Sequence, residues 1–401
     1  MGTVLLMTQG TGGDLYPFMQ IGRGLRSRGH QVTFITEPKF EAEVRRAGFE
    51  FASMLQPGHV EPPENGYAPD EQTEDGSVIN QRIFGACMHI YNTIKERRGP
   101  GRTVLIGHYN LNIIGQTAAE LLGLTYVTIF TAPYFLMKMP VIEQVYVYEG
   151  DVLNEYRTYL GLQPVRDWRE WLKAPRWIMG LWPEWFAPDS HPSWMFDVRP
   201  VGFVYDPGIE KGRLPDEVEE FLADGRPTVL ITHGTSKPYK IDFFSASAEA
   251  CTNLGLKALL VTKFPEFVPS GLPDNVLWCK YLPFGSAMPR MDTIIHHGGI
   301  GTLNQCLTAG VPQLVLGYGY DRPDNGMRVE RLGIGEYLPS IRWRPGPVAE
   351  SLRRIMTPEV RKRCRDLALR QENAADPAAV ACDVIESSIR ETGRVAAQDC
   401  V

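Results

Sequence analysis

The feature that most constrains this chain of 401 residues is a strand–turn–helix–strand pattern that occurs in both of its halves. Near the N-terminus, the apolar run TVLLMT at 3–8 ends in a glycine-rich turn, and Pro17 is typical of the first turn of a helix. A second strand, QVTFIT, is predicted at 31–36. Two strands joined by a helix predict a parallel sheet with a right-handed crossover, so the predicted fold class is α/β.

The same pattern continues along the chain, with an interruption in the middle. Strands are predicted at 103–107 and 125–130, and a helix is predicted between them at 112–123. The alternation then stops, and the segment 127–205 carries 17 of the 41 aromatic residues. A second series of strands is predicted at 228–232, 257–262, 275–279, 292–296 and 313–317.

This organisation predicts two Rossmann-like domains, over 1–207 and 208–380, followed by a C-terminal helix over 381–401. Each domain is long enough to bury its own core. The polar, turn-rich stretch at 206–226 is the predicted linker. The aromatic middle of the chain predicts a pocket for a flat or apolar ligand, and ordinary core packing is the alternative interpretation.

Composition and charge argue against several classes of protein. A net charge of −6, from 41 basic and 47 acidic side chains, disfavours a protein that binds nucleic acid. The seven cysteines are scattered and form no CxxC pair, which disfavours disulfides or a zinc site and indicates a reducing cytoplasm. We expect neither a signal peptide nor a membrane span. Basic residues mix with tryptophans at 165–177, so at most weak peripheral membrane contact is expected.

The first candidate site is the glycine-rich turn at 10–14, since ligands of open parallel sheets bind beyond the carboxyl ends of strands. A dinucleotide fingerprint, with Glu37 as the ribose-binding acid, would require a third glycine where the chain has Leu15. This mismatch argues against a nicotinamide or flavin cofactor. The turn instead presents Asp14 at the start of a helix, where it either caps that helix or serves as a catalytic carboxylate.

The second candidate site is the sequence HHGGIGT at 296–302, which follows a predicted strand. Glycines permit the close approach of a ligand, and the amides and dipole of a helix N-terminus favour an anion. Because a histidine there can also donate to a phosphate oxygen, the loop predicts phosphate binding, with a packed turn as the alternative. Two weaker candidates, HGTS at 233–236 and GYDRPDN at 319–325, follow other strands of this half.

These motifs resemble those of one enzyme family. The stretch HHGGIGTLNQCLTAGVPQLVLGYGYDRPDNGMRVERLGIG at 296–335 closely resembles the donor-binding signature of family 1 glycosyltransferases, including bacterial natural-product and sterol glycosyltransferases. The opening GTGGDLYPFMQIGRGLRSRGHQVTF at 10–34 resembles the branch with an aspartate base. ITHGTS at 231–236 and WCKYLPFGSAMPRMD at 278–292 resemble its phosphate-contacting and nucleobase-contacting loops. The resemblance implies the GT-B fold: two Rossmann-like domains facing across a cleft, with the last helix crossing back.

The resemblance also implies which residues bind a nucleotide-sugar donor. These residues are Thr235, Leu282, His297, Gly299, Gly301, Thr302, Gln305, Asp321 and Arg322. The histidine, glycines and threonines would hold the diphosphate, the backbone of Leu282 would meet the base, and Asp321 would hold hexose hydroxyls.

Two of these positions depart from the family pattern. Gln305 stands where a ribose-binding glutamate is common, which leaves UDP and dTDP as alternatives. Arg322 stands where a glutamine usually follows the sugar-binding aspartate, which leaves the identity of the sugar open. This arginine either pairs with a carboxylate on the sugar or turns outward to solvent.

The implied reaction is an inverting hexosyl transfer from a nucleotide sugar to a hydroxyl of a hydrophobic small molecule, with Asp14 as the general base. The chain contains no DxD pair, so we expect no metal ion and no other cofactor. His108 and Tyr134 are candidates for the acceptor pocket or for an alternative base, and a partner for Asp14 is a further alternative for His108. We expect a monomer or homodimer. A sugar-nucleotide epimerase or hydrolase, or a non-catalytic activator of another transferase, is the alternative for the same fold.

Overall fold

The computed structural model of the protein describes residues 1–56, 76–99, 101–136, 150–188, 196–205, 211–235, 237 and 242–398. Contacts within the chain divide it into two compact units. Met1–Val204 and Ala375–Val401 together form the first unit, and Tyr205–Ala374 forms the second. The boundaries drawn from the sequence, after residues 207 and 380, lie slightly C-terminal to these divisions.

The first unit is built around a seven-stranded parallel sheet with the order β3-β2-β1-β4-β5-β6-β7. Its strands are β1 (Thr3–Met7), β2 (Gln31–Thr36), β3 (Glu50–Ser53), β4 (Thr103–His108), β5 (Thr125–Phe130), β6 (Trp177–Gly180) and β7 (Arg199–Pro200). Between these strands, its described residues form the helices α1 (Gly12–Ser27), α2 (Glu41–Arg46), α3 (Gly76–Arg97), α4 (Asn112–Leu122), α5 (Gly150–Tyr159) and α6 (Trp168–Lys173).

The central strands of this sheet are buried on both faces because successive side chains point to opposite sides. In β1, Val4 and Leu6 belong to the core on one face, which also contains Phe18 of α1. Leu5 and Met7 belong to the core on the other face, together with residues of α3 and α4. The continuous apolar run of β1 is therefore explained by its central place in a covered parallel sheet.

The second unit repeats this plan with a six-stranded parallel sheet of order β10-β9-β8-β11-β12-β13. Its strands are β8 (Thr228–Thr232), β9 (Lys257–Val261), β10 (Val276–Cys279), β11 (Thr293–His296), β12 (Gln313–Val315) and β13 (Gly335–Tyr337). Its described helices are α7 (Asp216–Leu222), α8 (Asp242–Asn253), α9 (Phe284–Ala287), α10 (Ile300–Ala309), α11 (Arg322–Arg331), α12 (Pro345–Ile355) and α13 (Pro358–Glu372).

The last helix, α14 (Pro377–Gln398), belongs to the first unit and packs on α1. Arg28, just beyond α1, lies 2.6 Å from Asp383 and 3.1 Å from Glu386. His30 Nε2 lies 3.1 Å from the second oxygen of Glu386. This network and the apolar contacts of Cys382 join the end of the chain to its beginning.

Two expectations about local structure are wrong. Helix α1 begins at Gly12, so Pro17 lies inside it and not in its first turn. The helix starts early because Thr11 and Asp14 form a capping box, which satisfies its first amides before the proline is reached. The predicted linker contains α7, whose Val218 is fully buried in the core of the second unit. Residues 206–210 of that stretch lie outside the described residues.

Four strands have no counterpart among the predictions, namely β3, β6, β7 and β13. They are short, and none carries the long apolar run that marks a central strand. These four segments form strands because each pairs with a neighbouring strand of the sheet. Of the helices in the described part of the chain, none is long and apolar enough to cross a membrane.

Candidate active site

Both sheets reverse their strand order at one point, and several of the predicted site residues lie at these two points. In the first unit the reversal lies between β1 and β4, and Asp14 and His108 lie at the carboxyl ends of these strands. In the second unit it lies between β8 and β11, where His233 and His297 follow the two strands. Such switch points form the crevices in which open α/β sheets bind ligands.

The carboxylate of Asp14 is held by its own turn. Its Oδ2 accepts hydrogen bonds from the Thr11 amide at 2.8 Å and from the Thr11 hydroxyl at 3.1 Å. Gly10 has a φ of 124°, and a Cβ at this position would lie 2.4 Å from Asp14 Oδ2. Glu37, considered above as a ribose-binding acid, accepts a hydrogen bond from the Gly10 amide at 2.7 Å. Capping therefore accounts for one oxygen of Asp14.

The other oxygen of Asp14 faces His108. The Nε2 atom of His108 lies 3.4 Å from Asp14 Oδ1 and 3.3 Å from Thr131 Oγ1. The His108 side chain is 1% exposed whereas that of Asp14 is 25% exposed, so only the carboxylate is open to an incoming molecule. Within the described residues, the Nδ1 atom of His108 is buried and has no hydrogen-bond partner. Of the alternatives that the sequence left open for His108, the structure shows it as a partner of Asp14.

Two opposing effects set the pKa of Asp14. Burial raises the pKa of this carboxyl group, but the hydrogen bond and charge of His108 and the hydrogen bonds of Thr11 outweigh it, so the pKa lies below its ordinary value. Asp14 is therefore ionised at neutral pH and can accept a proton.

Aromatic rings extend from His108 along the same edge of the first sheet. Tyr109 lies next to the His108 ring, with centroids 4.5 Å apart, and stacks on Phe135 at 4.1 Å and on Phe130 at 5.4 Å. Tyr134 contacts the edge of Phe135 and is half-buried. Tyr134 therefore lies in one aromatic cluster with the neighbours of His108.

In the second unit, two histidines stack at the switch point. His296 at the end of β11 pairs in register with Thr232 of β8, and the following residues, His297 and His233, stack with centroids 4.8 Å apart. His297 is buried, and its Nδ1 atom lacks a partner within the described part of the chain. Burial, followed by the charges of His233, Arg322 and His296, lowers the pKa of His297 well below its ordinary value. His297 is therefore a neutral donor at pH 7.

The turn after β11 is held by hydrogen bonds of His296. Its Nε2 atom lies 3.0 Å from Gln313 Oε1, and its Nδ1 atom accepts a hydrogen bond from the Gly298 amide at 3.1 Å. Burial lowers the pKa of His296 to about 4, so this arrangement belongs to the neutral ring. Gly298 has a φ of 90°, and a Cβ there would lie 2.8 Å from the carbonyl oxygen of Arg322.

Helix α10 begins at this turn without a side-chain cap, because its N-cap residue is Gly299. A Cβ on Gly299 would lie 2.4 Å from His297 Nε2, so the fold itself requires glycine here. A Cβ on Gly301 would meet no atom within 4 Å. Thr302, in the same first turn, is buried. The first turn of α10 thus leaves its backbone amides without a side-chain cap, and free amides and the helix dipole are features that favour an anion.

The remaining predicted donor residues lie in loops or helices of the second unit and differ in exposure. Gln305 is half-buried on α10, and Thr235 is exposed in the turn that follows β8. The side chain of Leu282 is buried in the core, which leaves only its backbone for a ligand. Ser236, next to Thr235 in the predicted turn, lies outside the described residues.

Asp321 and Arg322 begin helix α11, which follows β12. Tyr320, the residue before Asp321, has a φ of 53°, an uncommon conformation for a side chain of this size. Asp321 Oδ2 accepts a hydrogen bond from Asn325 Nδ2 at 2.8 Å. Arg322 is buried rather than turned to solvent, and its charge acts on His297.

Two residues near these sites received no role from the sequence. His233 lies one residue after β8, as His297 lies one residue after β11, and parallel pairing of the two strands could have indicated their contact. Asn325 lies four residues after Asp321, a spacing that places both on one face of a helix.

Solved structures of similar fold are glycosyltransferases. The chain is similar to a structure described as the glycotransferase of kitacinnamycin, with a TM-score of 0.76, 21% identity, and coverage of 96% of this chain and 98% of that one. It is also similar to the spinosyn rhamnosyltransferase SpnG complexed with thymidine diphosphate, with a TM-score of 0.67, 19% identity, and coverage of 95% and 99%. These similarities confirm the GT-B fold.

Family models match both units. The glycosyltransferase family 28 N-terminal domain matches residues 4–83, and the C-terminal domain of the erythromycin biosynthesis protein CIII-like family matches residues 263–387. The chain is a glycosyltransferase. This glycosyltransferase is 26% identical over 410 residues to O-mycaminosyltylonolide 6-deoxyallosyltransferase of Streptomyces fradiae, with coverage of 91% of this chain and 90% of that protein. The prediction of a natural-product type of glycosyltransferase is confirmed.

Proposed function

We propose that this glycosyltransferase moves a hexose from a UDP- or dTDP-linked sugar to a hydroxyl group of a hydrophobic small molecule, with inversion at the anomeric carbon and without a metal ion. The observation that carries the proposal is the partly exposed carboxylate of Asp14, which is fixed through one oxygen by Thr11 and faces His108 through the other. A carboxylate in this setting is a general base that is oriented before the acceptor arrives.

In the proposed step, the acceptor oxygen attacks C1 of the sugar while its proton passes to Asp14. The bond between C1 and the diphosphate oxygen breaks, and its electron pair leaves with the nucleotide. Because Asp14 has a lowered pKa, it is a weak base, so proton transfer should lag behind bond formation to a sugar that already carries positive charge. His108 orients the carboxylate of Asp14 and stabilises its ionised form.

The departing diphosphate develops negative charge that the chain itself can stabilise. The uncapped first turn of α10 supplies backbone amides and the positive end of the helix dipole. His297 adds a neutral imidazole donor, and Thr302 and Thr235 add hydroxyl groups. We therefore propose that no metal ion takes part in the departure of the nucleotide.

The proposed acceptor is a flat or apolar molecule because aromatic rings adjoin the base. Tyr109, Phe130 and Phe135 stack beside His108, and Tyr134 contacts the same cluster. Two similar proteins support the donor part of the proposal, since one is named for a deoxyallosyl transfer and the other is complexed with thymidine diphosphate. Gln305 is able to bond a ribose hydroxyl in either nucleotide, so both donors belong to the proposal.

The experiment that tests the proposal is a matrix of UDP- and dTDP-sugars against aromatic, macrolide and sterol acceptors, with products identified by mass spectrometry and anomeric configuration by NMR. We expect β-linked product from an α-linked donor, and product formation with undiminished rate in EDTA. A retained configuration would refute the inverting mechanism. Consumption of the nucleotide sugar without any acceptor would instead favour an epimerase or hydrolase.

We further propose a cytoplasmic enzyme that is a monomer or homodimer. The six cysteines within the described residues are free and buried, which suits a reducing compartment. Size-exclusion chromatography with light scattering would measure the oligomeric state directly.

A further inference from the structure

Asn325 is a fully buried residue in the first turns of α11, at the end of the GYDRPDN motif, and the proposed mechanism gives it no role. Its side-chain amide contacts two different parts of the donor site. The Nδ2 atom donates to the carbonyl oxygen of Gly298 at 2.9 Å and to Asp321 Oδ2 at 2.8 Å. Both hydrogens of the amide are therefore used, one on the turn at 297–299 that is proposed to bind the diphosphate (the phosphate turn) and one on the proposed sugar-binding carboxylate.

The phosphate turn is a rigid partner for this bridge. The amide of Gly298 donates to His296, and a Cβ on Gly298 would lie 2.8 Å from the backbone oxygen of Arg322. Gly298 is therefore packed closely against the first residue of α11. Asn325 therefore fixes the Asp321 carboxylate relative to the same turn that carries His297.

An asparagine suits this bridge better than a charged donor. A neutral amide orients the carboxylate of Asp321 without neutralising it, so the charge stays available for hexose hydroxyl groups. The Oδ1 atom of Asn325 is buried and has no partner within the described residues. Burial of an unsatisfied polar atom is unfavourable, so packing alone does not explain an asparagine at this position.

We propose that Asn325 is a positioning residue that orients Asp321 toward the donor hexose and thereby contributes to recognition of the sugar but not of the diphosphate. The inference rests on the proposed role of Asp321 in holding hexose hydroxyls. Asn325 thus affects the hexose part of the donor, through Asp321.

The test compares binding of nucleotide sugar and nucleotide by calorimetry, with UDP-glucose against UDP and dTDP-glucose against dTDP. In Asn325→Ala, we expect the Kd of the nucleotide sugar to rise about tenfold and that of the nucleotide to change less than about twofold. Asn304→Ala is the matched control, because Asn304 is also buried in the second unit but bonds Gln371 of α13. The control should change neither Kd.

The double variant Asn325→Ala/Asp321→Ala separates positioning from a direct contact. If Asn325 acts through Asp321, the double variant should bind nucleotide sugar no more weakly than Asp321→Ala alone. Additive losses, or an equal loss of nucleotide and nucleotide-sugar binding, would overturn the inference. An effect of Asp321→Ala without any effect of Asn325→Ala would also overturn it while leaving the proposed role of Asp321 intact.

Wild-type binding by Asp321→Ala would instead refute the proposed role of Asp321, and the inference with it. Asn325→Asp is the second variant, since it keeps the shape of the side chain but removes the donor and adds a like charge beside Asp321. We expect a larger loss of nucleotide-sugar binding than in Asn325→Ala. Failure of both Asn325 variants to fold, with Asn304→Ala folded, would show a purely structural residue and overturn the proposal.

Discussion

The substitution Asp14→Asn separates the two roles that the structure gives to one side chain. Oδ2 of Asp14 completes the capping box with Thr11, and Oδ1 faces His108 at 3.4 Å. An asparagine can place its oxygen on the Thr11 side and keep the cap, with its amide toward His108. Asp14 is the N3 residue of this capping box, a position where either a carboxylate or an amide oxygen can accept from the N-cap amide, so we expect a change in unfolding free energy of about 1 kcal/mol or less.

Catalysis should respond very differently, because an asparagine cannot accept a proton at neutral pH. Removal of a general base typically costs about 10²–10⁴-fold in rate, which corresponds to about 3–5 kcal/mol of activation free energy. The loss should be smaller for a phenol than for an aliphatic alcohol, because the more acidic phenol needs less help to ionise. The predicted pattern is a folded protein with normal nucleotide affinity and an acceptor-dependent loss of turnover.

The assay measures thermal denaturation, the Kd of UDP and dTDP, and kcat/KM for one phenolic and one aliphatic acceptor. Asp167→Asn is a matched control, since Asp167 caps α6 by accepting hydrogen bonds from the amides of Arg169 and Glu170. This control removes the charge of a capping aspartate that does not lie at the switch point. It should leave turnover unchanged within about twofold.

The pH dependence gives an independent check on Asp14. Its pKa in the folded protein is depressed, so its contribution to stability is present above the unfolded pKa and is lost as pH falls through the folded pKa. The carboxylate stays ionised down to the same lowered pKa, so any acid limb that it imposes on kcat/KM must lie below the ordinary aspartate value. Asp14→Asn should abolish that limb.

The reasoning is refuted if a folded Asp14→Asn protein transfers sugar to both acceptors at near-wild-type rates. Asp14 would then be only a capping residue, and His108 would become the next candidate for the base. An equal loss of nucleotide affinity and turnover would also contradict the assignment, because Asp14 lies in the first unit and the predicted donor residues lie in the second.

Three further predictions concern the donor. His297→Ala should raise the Kd of UDP or dTDP at least tenfold in calorimetry, since a hydrogen bond to a charged group contributes about 1.5–3 kcal/mol, and an unchanged Kd would remove His297 from the phosphate site. Gly301→Ala should keep or raise the melting temperature, because a Cβ there meets no atom within 4 Å, yet it should weaken nucleotide binding. Gly299→Ala should instead lower the melting temperature, because its Cβ would lie 2.4 Å from His297. Turnover should persist in EDTA, and a loss restored by Mg²⁺ would contradict metal-independent transfer.

Much of the fold was predictable because it follows from patterns between near neighbours in the chain. The apolar runs of β1, β2, β4 and β5 indicate strands that are buried on both faces, and the structure contains all four. Strand β13, with the sequence GEY, carries no such signal. It is a strand because it pairs with its neighbour β12.

Local signals also misled where two of them competed. Pro17 is a valid sign of a helix start, but the capping box of Thr11 and Asp14 begins α1 before the proline is reached. In the predicted linker, polar and turn-forming residues favoured a loop, and the short helix α7 was not predicted. The burial of Val218 against the second core, which depends on distant residues, accounts for that helix.

The sequence by itself determined the α/β class, the two successive parallel sheets and the identity of the motif residues, because these depend on residue type and on spacing along the chain. Only the tertiary structure decided that Asp14 faces His108, that His297 stacks on His233 and that Arg322 is buried. Each histidine contact joins residues at the carboxyl ends of two strands that become neighbours through the order of the sheet. Spacing in the sequence cannot report such contacts, since strand order is selected by the packing of the whole sheet.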